Sequence, residues 1–131
     1  MGKTAIPQEI AQAEVDKWIE YKKLDEDEIK EKESQIKTLV SAIKNGRLVL
    51  TKDFKLVQTL KFPLDSLTEL TYAPRLNVDA IAMKLDGIDS TNPILLVATY
   101  AAASAGVVNG IIGKLDTADN RIAQAIGSFF L

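Results

Sequence analysis

Residues 94–113 contain no Asp, Glu, Lys or Arg, although charged residues crowd the first half of the chain and thin out only after Lys61. A run of about 20 uncharged residues either crosses a bilayer or is buried as a central helix among others. Its composition argues for burial. Thr99, Ser104 and Asn109 interrupt it, its many Ala residues gain little on transfer to lipid, and no basic flank fixes an orientation. The expectation is therefore one buried central helix and no membrane span. Asn92 caps it and Pro93 stands at its first turn. Along it, Ala98, Ala102, Gly106 and Gly110 fall at four-residue spacing and would form a shallow groove for the close approach of another helix, with Val107 and Ile111 beside it.

The remaining periods divide the chain. Ala11, Val15, Trp18 and Ile19 recur at helical spacing, so a first helix is expected over 7–24. Asp25, Glu26, Asp27 and Glu28 mark the start of a second, with Asp25 and Glu28 at capping-box spacing. Ile29, Ile36, Leu39, Val40 and Ile43 form its apolar stripe, and Asn45 and Gly46 stop it. These two helices read as an α-hairpin arm over 1–45.

After Gly46 the period becomes two. Leu48 and Leu50 begin a hairpin that turns at Thr51, Lys52 and Asp53. A second strand runs from Phe54 to Phe62 with Gln58 as the one polar residue on its apolar side, and Pro63 ends it. A third strand covers 67–72. A short helix capped by Asn77 carries Val78, Ile81 and Leu85, and a last helix opens at Asp116 and buries Ile122, Ile126 and Phe129. The fold class is α+β: a small antiparallel sheet of three strands with an N-terminal helical hairpin and a C-terminal helical bundle. Residues 46–131 form the α+β domain, which ends in a helical subdomain.

The 131 residues include no His and no Cys, which excludes imidazole bases, thiolate nucleophiles and zinc sites built on nitrogen or sulfur. The net charge of -2 gives no long-range attraction to phosphate. Lys22, Lys23, Lys30, Lys32 and Lys37 are interleaved with carboxylates, so no nucleic-acid site is expected there, nor from Trp18 and Tyr21 as isolated stacking residues. Ser34/Lys37 and Ser41/Lys44 match the spacing of serine–lysine acyl enzymes without the companion motifs. Gly2, Lys3 and Thr4 echo the end of a phosphate loop without its strand. Asp86/Asp89 and Asp116/Asp119 read as helix caps rather than cation ligands. No cofactor and no catalytic residue is expected. The first residues lack the apolar core of a secretory signal, so an intracellular protein is expected.

One resemblance gives these features a direction. Thr59-Leu60-Lys61-Phe62-Pro63, then Leu67-Thr68-Glu69-Leu70-Thr71 and the short helix at 78–81, look like the opening of the tail assembly chaperones of long-tailed bacteriophages. Lys114-Leu115-Asp116-Thr117-Ala118-Asp119, followed by Ile126-Gly127-Ser128-Phe129-Phe130, is similar to the leucine-aspartate, aspartate and terminal aromatic pattern with which they end. The chain departs from that pattern in its N-terminal helical arm and at residues 72–75.

The resemblance implies a non-enzymatic protein in the cytoplasm of an infected bacterium. It would bind the helical tape-measure protein and keep it soluble before the tail tube polymerises. Ala102, Gly106, Val107, Gly110 and Ile111 would then be the partner-binding residues. The alternative is a structural tail subunit, of tube or connector, that assembles with copies of itself through strand edges.

Overall fold

The computed structural model describes residues 6–131, so the Gly2-Lys3-Thr4 echo lies outside the described residues. Among these residues are seven helices and one three-stranded antiparallel sheet, with helices in both the N- and C-terminal regions. The order is α1 (Gln8–Lys22), α2 (Glu26–Glu31), α3 (Glu33–Lys44), β1 (Leu48–Leu50), β2 (Leu56–Leu64), β3 (Leu67–Tyr72), α4 (Val78–Leu85), α5 (Pro93–Ala105), α6 (Asn109–Lys114) and α7 (Thr117–Ser128). The expected α+β class is the one found.

Local chemistry accounts for most element ends. The backbone N–H of Asp25 donates to Glu28 Oε1 at 3.1 Å, as the capping-box spacing predicts. The side chains of Asn77, Asn92 and Asp116 accept backbone N–H groups at the starts of α4, α5 and α7. In the sheet, β1 pairs with β2 and β2 with β3, with Leu56 opposite both Leu50 and Tyr72. The inward side buries Leu48, Leu56, Gln58, Leu60, Leu70 and Tyr72, the alternation expected of a sheet covered on one face.

Four expectations are corrected. The second helix is interrupted at Lys32 (φ -101°, ψ 15°), which ends α2 and begins α3. No Gly or Pro marks this bend, which leaves Ile29 and Ile36 lining a hollow with Ile19 and Leu24 of the first hairpin. Phe54 is not in the second strand: it takes φ 61° in the turn and stacks on Tyr21 with ring centroids 4.2 Å apart. Pro63 does not end β2, which continues to Leu64. The ladder between β2 and β3 is irregular between Thr59 and Leu64, and there a residue without an N–H breaks no regular pairing.

The fourth correction concerns the uncharged run, which is two helices rather than one. Gly106 caps α5 at φ 68°, its N–H bonds Ala103 O, and Val107 N–H bonds Ala102 O at 3.0 Å, so the chain turns before α6.

The helices of the first 45 residues lie against the rest of the chain. The core joins Ala11, Val15 and Trp18 of α1, Leu39, Val40 and Ile43 of α3, the inner face of the sheet, and Ala123, Ile126 and Phe129. Trp18 sets its ring edge-on to Phe129, with centroids 5.0 Å apart and an interplanar angle of 84°.

Candidate functional site

The five residues expected to bind a partner do not form one surface. Ala102 is fully buried within α5 and has no outer face to offer. Gly106 is the exposed left-handed cap of that helix, and Gly110 is exposed in α6 beyond the turn. Val107 and Ile111 are half-buried. The four-residue spacing of Gly106 and Gly110 therefore straddles a break, and the groove expected along Ala98, Ala102, Gly106 and Gly110 is absent.

A close helix crossing does exist, at a different glycine. A Cβ on Gly127 of α7 would stand 2.5 Å from Val97 O and 3.1 Å from Ala101 Cβ, so α5 and α7 touch backbone to backbone. The sequence signal was Ala123 and Gly127, four apart on one face of α7.

The most exposed of the large apolar side chains lie in α4, the start of α5 and the α5–α6 corner, with others such as Ile10, Val49 and Phe62 exposed elsewhere. Met83 is 87% exposed and Val78 78%, while Ile94, Leu95 and Val108 are exposed as well. On α4 only Ile81 is buried. Two hydrogen bonds fix this helix to the corner: Lys84 Nζ donates to Val107 O (2.8 Å) and Asn109 Nδ2 donates to Lys84 O (3.1 Å). Met83 and Val108 thus adjoin the same pair of bonds. This helix packs Ile81 inward and leaves Val78 and Met83 in solvent on a fixed base, and exposed apolar side chains of this kind can pack against another apolar helix.

The buried polar groups serve the fold. The Asp119 carboxylate, 1% exposed, accepts the N–H of Lys61 (2.8 Å) and of Phe62 (2.9 Å) where the ladder of β2 is irregular. Its backbone oxygen accepts from Gln58 Nε2 (2.9 Å), and Gln58 Oε1 accepts from the Tyr72 hydroxyl (2.7 Å). Burial, and then the Asp119 charge, push the Tyr72 phenol well above its ordinary range. Asp116 does cap α7, as expected, but Asp119 fastens a strand instead of ending a helix. Asp89 accepts the hydroxyl and the N–H of Thr91, which hold its exposed carboxyl below the usual value.

Near the end of α1, Lys22 Nζ donates to Pro74 O (2.8 Å) and sits 3.9 Å from the centroid of the Phe130 ring. Burial, and then the Arg75 charge, lower its pKa to about 8. Arg75 in turn donates to Tyr21 O (2.8 Å), so α1 and the segment before α4 hold each other by reciprocal side-chain to carbonyl bonds.

Among the described residues, no cluster of three or more acidic side chains is placed to hold a metal ion, and no helix is long and apolar enough to cross a membrane. Compared with models of protein families, with curated proteins and with solved structures, the chain matches none.

Proposed function

We propose that this protein is a tail assembly chaperone of a long-tailed bacteriophage, which covers apolar stretches of the helical tape-measure protein in the host cytoplasm until the tube forms. The observation that carries the reading is the set of exposed apolar side chains on α4 and at the α5–α6 corner, above all Val78, Met83 and Val108. A long helical partner without its tube has apolar stripes that self-associate, and a helper needs a firmly based apolar patch to cover them. Val78 and Met83 of α4 are open to a partner, whereas Ala102 is consumed by the fold itself. The chemistry-poor composition, without His or Cys, agrees with a role in packing.

Co-expression with the tape-measure protein of the same phage tests this reading. The wild-type chain should increase the soluble fraction of the tape measure, and Met83→Glu with Val108→Glu should abolish the gain while leaving the far-UV circular dichroism unchanged. Unchanged solubility with the wild-type chain would remove the reading. Recovery of the protein from finished particles would favour the tube or connector subunit instead.

A further inference from the structure

A groove of about 440 Å³ runs between α3 and α7 at the edge of the sheet. Lys37 of α3, Arg47 before β1 and Arg121 of α7 line it, together with the hydroxyls of Ser34, Thr38 and Ser41. No carboxylate lines it, nor does any line the two adjoining hollows, which share Ser34, Thr38 and Arg121 on one side and Lys37 and Ser41 on the other. Among the described residues the three cations take part in no ion pair or side-chain hydrogen bond. Three positive charges without an ion-pair partner around one concavity focus a field that attracts an anion, and the two guanidinium groups suit carboxylates in paired contact.

The same chain carries the complementary feature. Residues 25–33 hold six carboxylates and two Lys, and α2 buries none of its residues. Asp25 and Glu28 are engaged in the cap, whereas Glu26, Asp27, Glu31 and Glu33 are exposed and unpaired among the described residues. Asp27 and Glu31 lie one turn apart on one edge of the helix. Its six residues extend about 9 Å, half of the about 18 Å spanned by the twelve of α3, the helix that forms one wall of the groove.

We infer that the basic groove between α3 and α7 receives the acidic α2 of a second copy of this chain. The two surfaces differ, so the contact is head to tail: a pair leaves one groove and one helix open, and further copies add or the set closes as a ring. The continuity of the groove with its neighbours favours a rod-shaped acidic occupant over a compact ion. This association uses neither Met83 nor Val108, so it stands or falls apart from the chaperone reading.

Sedimentation equilibrium of the full chain alone tests the inference. At about 20 mM salt the average mass should rise with protein concentration, and at about 500 mM salt it should return to that of the monomer, because screening shortens the reach of the charges. Arg47→Glu with Arg121→Glu should weaken association by about tenfold or more, and so should Asp27→Lys with Glu31→Lys. Each variant's circular dichroism and melting curve report whether it is folded.

An equimolar mixture of the two variants should associate again, since each reversed surface then meets its complement. A wild-type chain that remains monomeric at low salt would overturn the inference, as would a mixture that fails to recover. Inorganic phosphate shifting the amide resonances of Lys37 and Arg47 in a chain that never self-associates would also overturn it, and would give the groove to small anions.

Discussion

Asp119 shows how one side chain can settle a local geometry. Its two carboxylate oxygens each take one N–H from an irregular stretch of β2 whose donors have lost their strand partners. Asp119→Asn puts an amide NH₂ where one of those N–H groups needs an acceptor. The expected loss is about 1–3 kcal/mol in urea unfolding at neutral pH. Two other groups set the alkaline limb. Folding lowers the pKa of Lys22 to about 8 from 10.5, so between these values the unfolded chain binds more protons and stability should rise with pH. Tyr72 stays protonated in the fold above pH 10.0, where the unfolded phenol ionises, so its contribution is lost as pH rises further. Urea midpoints measured from pH 7 to 11 should therefore climb and then fall, and Lys22→Met should remove the climb. Of these roles, only the anomaly of Gln58 on an apolar face was visible in the sequence. Its partners lie 14 and 61 positions away, beyond any local pattern.

At the scale of elements, the small-residue contact between α5 and α7 is the tightest constraint. Gly127→Ala would place a methyl group against Val97 O, backbone that cannot swing aside, so the helices must separate. The expected cost is about 1–3 kcal/mol by thermal or urea unfolding. A Cβ at Gly106 meets nothing within 4 Å, so the effect of Gly106→Ala should come from the left-handed backbone alone, about 1–2 kcal/mol. The helices whose faces alternate charge and hydrocarbon were readable, as were the caps at Asn77, Asn92 and Asp116. The uncharged run was not. With no charged residue over 94–113 there is nothing to mark an outward face, so Ala102 and Gly106 look alike in sequence although one is buried and the other exposed. The bend at Lys32 was hidden too, because lysine is an ordinary helix residue.

Considered whole, the molecule joins both ends of the described chain in one core, where Trp18 meets Phe129 and α3 lies on α7. The helices α1 and α3, whose narrow apolar stripes read in sequence as an arm, bury those stripes in this core. The most exposed apolar side chains, at α4 and the α5–α6 corner, belong neither to the lining of the basic groove nor to α2, so the two predicted associations can be tested on separate variants. The reliance of the sheet on Asp119 also has a consequence during synthesis. Residues 58–62 leave the ribosome long before residue 119 does, so the far end of the hairpin waits without its fastening while the following 57 residues are added. Until α7 arrives, that stretch of backbone is open to whatever else can bond it, and a slow codon between positions 62 and 119 would lengthen the exposure.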